Sequence, residues 1–241
     1  MKNQFKFAGH KYIFFIIFLL LIGSLASVML AKARMVYSGT SEYSSLIWNL
    51  FLAWIPMIFS ILAYLVSRSK KWLWVFSLIC TLVWLLFFPN APYILTDFNH
   101  LSTNSANAPL WFDVIMLIWF AWTGLLLGVV SLHLMHGMVI RLWGKFVGWV
   151  FTLLVVSLGG IGISLGRFFR WNSWDVLQEP LPILNDVLDW IRYPFSNLRI
   201  YGFTLLYTLL FLFVYLAFRA FSGAMKEQET EYLNPIIDDP A

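Results

Sequence analysis

The sequence predicts an all-α integral membrane protein, a bundle of six transmembrane helices. Of its 241 residues, 61% are hydrophobic and 12% are charged, and the mean hydropathy is +0.78. A soluble fold of this length would lack the polar surface to cover itself. A spanning helix needs about 20 mainly apolar residues. Six such runs, free of Asp, Glu, Lys and Arg, lie at 12–31, 46–66, 72–88, 114–133, 147–165 and 200–218.

The runs are continuously apolar, which favours helices over the alternating strands of a membrane barrel. The first run follows Lys2, Lys6 and Lys11 and ends at a small-residue stretch around Ala31, as a secretory signal does. Its length of about 20 residues exceeds the roughly 7 to 15 of a signal's apolar region. We therefore expect an uncleaved first helix.

Segments on the N-terminal side of the predicted bundle carry more Lys and Arg than those on the opposite side. This asymmetry predicts that both termini face the cytoplasm. The net charge of +4 comes from short basic clusters at helix ends, which favours lipid head groups over nucleic acid as the partner. Cys80 is the only cysteine, so neither a disulfide nor a thiolate metal site is expected within one chain.

The connection between the fifth and sixth spans carries a helical repeat of apolar residues after Pro180 and Pro182. The repeating positions are Leu181, Leu184, Leu188 and Ile191. They predict a short amphipathic helix on the outer surface. The chain is expected to divide into a six-helix transmembrane domain at 1–225 and a disordered, acidic cytoplasmic tail at 226–241.

Two glycine pairs, Gly124 with Gly128 and Gly162 with Gly166, have the spacing that lets helices approach closely in lipid. This spacing fits a dimer or a hinge, and it fits packing within the bundle better. Asn49 in the second span is expected to form hydrogen bonds between helices.

The stretch 88–101 breaks an apolar run with two prolines and then places Asp97 and His100 three residues apart. Together with Asp113 these side chains are candidate catalytic residues, because a carboxylate and an imidazole form an acid–base couple. The same three are candidate ligands for a divalent metal such as Zn²⁺ or Mn²⁺. The alternative is a helix cap at Thr96 or Asp97 followed by a solvated loop.

The later stretch 166–175 packs polar groups between interfacial aromatic residues. Arg167 and Arg170 are candidate phosphate ligands, since guanidinium groups bind anionic oxygens bidentately. Asn90, Asn172 and Asp175 complete the predicted substrate-binding set. The alternative is that the arginines reach lipid head groups and the tryptophans form an interfacial belt.

The motifs at 48–56, 88–101, 111–113 and 166–175 resemble a bacterial membrane family called domain of unknown function 1361. The resemblance implies a multi-span protein of the bacterial cytoplasmic membrane. It supplies no catalytic residue and does not decide whether the protein is an enzyme.

Three functions fit these observations. The first is an enzyme with an outward-facing Asp/His/Arg site that acts on a phosphate-bearing or lipid-linked cell-envelope substrate. The second is a carrier or flippase for a lipid or small solute, with a groove lined by Asn49, Thr81, Thr123 and Ser157. The uncharged spans disfavour ion-coupled transport. The third is a membrane scaffold that contacts a protein partner through its outer loops.

Overall fold

The computed structural model describes residues 9–67, 74–101 and 109–238, and every regular element in these ranges is helical. Six helical segments are long and apolar enough to cross a membrane, which confirms the predicted bundle. The elements in chain order are α1 Gly9–Ser38, α2 Ser44–Val66, α3 Trp74–Phe87, α4 Asn90–Tyr93, a 3-10 helix Ile94–His100, α5 Leu110–Trp143, α6 Lys145–Ser164, a π turn Leu165–Phe169, α7 Asp175–Gln178, α8 Pro180–Arg192, a 3-10 helix Pro194–Asn197 and α9 Leu198–Asp238.

Several helices continue past the apolar runs that predicted them. Helix α1 runs on to Ser38 and contains Arg34, and α5 begins at Leu110 and contains Asp113. A charged side chain ends an apolar run without ending a helix, because adding a residue to an existing helix costs little. The end of the bundle where α1 ends, α5 begins and α6 ends is called the site face below.

At the site face, α1 and α5 are joined by a buried ion pair. Arg34 Nε donates to Asp113 Oδ1 at 2.5 Å, and Arg34 Nη2 donates to Oδ2 at 3.1 Å. The Tyr43 hydroxyl also donates to Asp113 Oδ2, at 2.9 Å. Arg34 and Asp113 are 79 positions apart in the chain, and the packing of α1 on α5 brings their side chains together.

The third span is broken at its site-face end. Helix α3 stops at Phe87, and the chain continues as the turn at Phe88 and Pro89, α4 and the 3-10 helix. Ala91, Pro92 and Ile94 are buried. We call 88–100 the broken segment; it packs against α2 and α5.

Two glycines let neighbouring helices approach the broken segment closely. A Cβ at Gly124 of α5 would lie 2.7 Å from the Ala91 carbonyl oxygen, and one at Gly162 of α6 would lie 2.6 Å from Pro89 Cγ. Both contacts are shorter than real Cβ atoms tolerate. The glycines thus serve packing within the bundle, as the sequence favoured.

Helix α8 forms where the apolar repeat predicted it, and it opens with Pro180. Its buried side chains are Ile183 and Trp190, whereas the repeating residues Leu181, Leu184, Leu188 and Ile191 are exposed. One face therefore packs on the bundle and the leucine face points away from it, as expected of a helix whose apolar face meets lipid.

Helix α9 extends to Asp238, through most of the stretch 226–241 for which the sequence predicts a disordered tail. Glu, Lys, Gln and Met are good helix formers, so their sequence lets the helix of the last span continue. The division of the chain into a membrane domain and a tail stays a prediction.

We predict that breaking the buried pair lowers stability strongly. Asp113→Asn or Arg34→Gln should reduce the free energy of unfolding by about 3–5 kcal/mol, because an uncompensated polar group remains buried. The measurement is thermal or denaturant unfolding of the purified protein in detergent.

The double variant Arg34→Met with Asp113→Leu should recover most of the loss. Arg192→Gln, which breaks an exposed pair with Asp189, serves as the control. Equal losses in Asp113→Asn and Arg192→Gln would contradict the assignment.

The Tyr43 hydroxyl makes the stability of the folded protein depend on pH. Burial and the hydrogen bond to Asp113 raise the pKa of Tyr43 above its ordinary value. An unfolded tyrosine ionises near about pH 10, so above that pH the unfolded chain loses a proton that the folded chain keeps. Stability should therefore fall more steeply above about pH 10 in the wild type than in Tyr43→Phe. Identical slopes in the two proteins would show that Tyr43 does not contribute.

Candidate functional site

A polar cavity of about 260 Å³ opens at the site face between α2 and α6. We call it the α2–α6 cavity. The broken segment contributes its floor, and the connection from the π turn to α8 covers it. Its polar side chains are Asn49, Asn90, Tyr93, Arg170, Asn172 and Ser173, and its apolar side chains include Trp48, Leu52, Leu86, Pro89, Leu165, Val176 and Ile183. Three of the predicted substrate-binding residues, Asn90, Arg170 and Asn172, thus share one cavity.

Asn90 connects the broken segment, which forms the floor of the cavity, to the loop 170–174, which covers it. Its side-chain amide donates to the Phe87 carbonyl oxygen at 3.0 Å and to Ser173 Oγ at 2.8 Å. The first bond satisfies a carbonyl left free where α3 ends. The second fixes the loop 170–174 against α4, so Asn90 has a structural role besides lining the cavity.

Arg170 has an unusual backbone conformation. It follows the π turn with φ 62° and ψ 26°, the left-handed region, which costs a residue with a Cβ about 1–2 kcal/mol. Around it, Trp171 N donates to the Leu165 carbonyl oxygen at 3.3 Å, and Trp171 Nε1 donates to Asp186 Oδ2 at 2.6 Å. The loop thereby holds Arg170 at the mouth of the cavity, where its side chain is exposed.

The Asp175 carboxylate stabilises the same loop by accepting hydrogen bonds from Asn172. Its Oδ2 accepts hydrogen bonds from the Asn172 backbone N–H at 2.6 Å and from Asn172 Nδ2 at 3.1 Å. Asp175 is not among the residues that line the cavity. The geometry gives it the role of positioning Asn172.

Asp97 lies behind the cavity wall. It is 2% exposed and sits inside the 3-10 helix, which has no side-chain cap, so the alternative of a capped, solvated loop is wrong for this residue. Asn49 Nδ2 donates to Asp97 Oδ2 at 2.9 Å. Because Asn49 also lines the cavity, it connects the Asp97 carboxylate to that space. The expectation that Asn49 bonds between helical segments is confirmed.

The three residues predicted as a catalytic or metal-binding set have different surroundings. Asp113 is bound by Arg34 and Tyr43, and Asp97 is bound by Asn49. His100 ends the 3-10 helix, but its side chain lies outside the described part of the structure. Among the described residues, no three His, Cys, Asp or Glu side chains form a group that could hold a metal. A divalent metal at Asp97, His100 and Asp113 stays a prediction.

Arg167 faces a second cavity, of about 310 Å³, on the other side of the π turn. We call this the α9 cavity. Its lining residues are Leu95, Thr96, Phe98, Arg167, Phe168, Arg199, Phe203 and Tyr207. Arg167 and Arg170 therefore do not meet in one cavity, and the notion that both hold the same phosphate does not describe this structure.

Four residues that line these cavities were not candidate site residues in the sequence, and Thr96 was a candidate only as a helix cap. The four are Tyr93, Ser173, Arg199 and Tyr207. A usable signal existed for Arg199 and Tyr207, because they lie eight residues apart on α9 with Phe203 midway between them. That spacing places all three on one helical face. For Tyr93 and Ser173 no sequence signal existed, since loop closure over the broken segment brings them to the cavity.

Two of the four residues expected to line a transport groove, Asn49 and Thr123, line different cavities. Thr81 Oγ1 donates to the Ser77 carbonyl oxygen of its own helix, at 2.8 Å. Thr123 Oγ1 likewise donates to the Trp119 carbonyl oxygen, at 2.8 Å, beside an apolar groove between α1 and α5. Asn49 alone of the set faces the polar α2–α6 cavity.

Because the backbone of Arg170 is left-handed, we predict that glycine at this position gives a more stable protein than alanine does, the reverse of their order in a regular helix. Arg170→Gly should be more stable than Arg170→Ala by about 1 kcal/mol, because glycine adopts this conformation without a steric penalty. Unfolding of both variants in detergent measures the difference. At the exposed Leu177 of α7 the order should reverse, with Leu177→Ala more stable than Leu177→Gly. A less stable glycine variant at position 170 would contradict the backbone assignment.

Comparison with known proteins adds a family but no activity. The model of the family described as protein of unknown function (DUF1361) matches residues 48–214, a range that contains both cavities and the broken segment. No curated protein and no solved structure matches the chain. By this match, which covers more than half of its length, the chain belongs to the DUF1361 family.

Proposed function

We propose that the protein acts on a phosphate-bearing or lipid-linked cell-envelope substrate whose polar head binds in the α2–α6 cavity. The observation that supports this most is the composition of the cavity. It combines one exposed guanidinium, from Arg170, with the side-chain amides of Asn49, Asn90 and Asn172. The guanidinium and the second N–H of Asn49 and of Asn172 can donate hydrogen bonds to phosphate oxygens or sugar hydroxyls. Both N–H groups of Asn90 already bond to Phe87 and Ser173, so its carbonyl oxygen is the atom that can meet a ligand hydroxyl.

The charge of the cavity favours an anion. No Asp or Glu is among its lining residues, and within the described ranges Arg170 has no carboxylate at salt-bridge distance. A guanidinium without a carboxylate partner keeps its donors free for an anionic ligand. The two neighbouring carboxylates, Asp97 and Asp175, are engaged by Asn49 and Asn172.

The apolar part of the cavity favours a ligand with a lipid chain. Trp48 and Leu52 of α2 and Leu86 of α3 line it, and Trp48 stacks on Phe51 with ring centroids 5.4 Å apart. Both of these aromatic rings are exposed on the outside of the bundle. An acyl or prenyl chain attached to a bound head group would leave the cavity along this apolar surface.

In this proposal Asp97 supplies acid–base chemistry, with His100 as its candidate partner. Asn49 stands between the Asp97 carboxylate and the cavity, so a substrate that displaces the Asn49 amide gains access to the carboxylate. We place the protein in the bacterial cytoplasmic membrane, with both termini in the cytoplasm and the site face outside. The distribution of Lys and Arg supports this orientation.

Binding to the cavity is tested with the full-length protein in neutral detergent. A polyprenyl phosphate is titrated in and the bound fraction is counted by native mass spectrometry. Arg170→Gln should weaken binding at least about tenfold, since hydrogen bonds to charged groups contribute about 1.5–3 kcal/mol. Arg192→Gln, an exposed arginine of α8 outside the cavity, is the matched control and should bind as the wild type does.

Wild-type protein that binds neither a polyprenyl phosphate nor a phospholipid would overturn the proposal, and so would undiminished binding by Arg170→Gln. Asp97→Asn then separates an enzyme from a binding protein. It should retain ligand binding while losing any turnover of the bound substrate, because the amide keeps the shape of the carboxylate and cannot accept a proton.

A further inference from the structure

We propose that the α9 cavity is a second phosphate-binding site, separate from the α2–α6 cavity. Its ligand is phosphate, either as part of a lipid head group or as the free ion. The two cavities lie on opposite sides of the π turn, and their sets of lining residues do not overlap. The inference therefore stands whether or not the α2–α6 cavity binds a substrate.

Two arginines supply the positive charge of this cavity. Arg167 enters from the π turn and Arg199 from the first turn of α9. In the described part of the chain neither guanidinium has a carboxylate at salt-bridge distance. No Asp or Glu lines the cavity, and the adjacent carboxylate of Asp97 accepts a hydrogen bond from Asn49 on α2. Two unpaired arginines at one cavity match the bidentate binding of phosphate oxygens.

A buried hydroxyl group independently points to a ligand. Thr96 is 5% exposed and lines the cavity, yet its Oγ1 has no hydrogen-bond partner among the described residues. Buried polar atoms are nearly always hydrogen-bonded, and leaving one unpaired is unfavourable. A phosphate oxygen held between the two arginines would accept the hydrogen bond of this hydroxyl.

Aromatic rings line the rest of the cavity in a continuous row. The Arg199 guanidinium lies 5.9 Å from the Phe168 ring centroid. Phe168 meets Phe203 edge-on at 5.0 Å, and Phe203 meets Tyr207 at 4.4 Å. The row fixes Arg199 and leaves room beside the charge for an apolar substituent. A volume of about 310 Å³ is at the small end for organic ligands, so the site suits a phosphate ester.

The test uses the full-length protein in neutral detergent and two probes. Inorganic phosphate is titrated by calorimetry, and phosphatidylglycerol is titrated with native mass spectrometry as the readout. The double variant Arg167→Gln with Arg199→Gln should weaken binding of the preferred probe at least about tenfold. Arg192→Gln, an exposed arginine of α8 outside both cavities, should leave this binding unchanged. Tighter binding of the lipid identifies a head group as the ligand, and equal or tighter binding of inorganic phosphate identifies the free ion.

Thr96→Val separates a ligand-binding role from a structural one. It should weaken binding about three- to tenfold while leaving the thermal midpoint of the ligand-free protein unchanged or higher, since valine removes an unpaired hydroxyl. Arg199→Lys should retain part of the affinity, because it keeps the charge and loses the forked geometry. Wild-type protein that binds neither probe would overturn the proposal. It would also be overturned if the double variant, with an unchanged circular dichroism spectrum, bound as tightly as the wild type.

Discussion

The structure depends on how the third span ends inside the bundle. From Phe88 onward the chain stops being a regular α-helix, yet Ala91, Pro92 and Ile94 remain buried between neighbouring helices. Irregular backbone at membrane depth is tolerated only where protein buries it or where it lines a cavity. Here both conditions hold, because one side of the broken segment forms the floor of the α2–α6 cavity and the other side forms a wall of the α9 cavity.

The surrounding contacts follow from this constraint. Glycines on α5 and α6 let these helices pack directly on the broken segment, and Asn90 fastens it to the loop that carries Arg170. Asn49 fastens it to α2 through Asp97. The ion pair of Arg34 with Asp113 then holds α1 against α5 at the same end of the bundle.

The sequence was sufficient to predict the helical bundle because each membrane helix is encoded locally, in about 20 consecutive apolar residues. It also located Asn90, Arg170 and Asn172, since polar residues are conspicuous beside apolar runs. It could not pair Arg34 with Asp113, which are 79 positions apart, and it grouped Arg167 with Arg170 because they are neighbours in the chain. The π turn places those two arginines at different cavities, and that turn has no signature in residue type.

The central claim is that the broken segment separates two phosphate-binding cavities. The most direct test is an experimental structure of the protein solved with a short-chain phosphatidic acid. We predict phosphate density beside Arg170 in the α2–α6 cavity and beside Arg167 and Arg199 in the α9 cavity, with Thr96 Oγ1 within hydrogen-bond distance of the latter. Empty cavities under saturating ligand, or arginines paired with carboxylates in place of phosphate, would contradict the account.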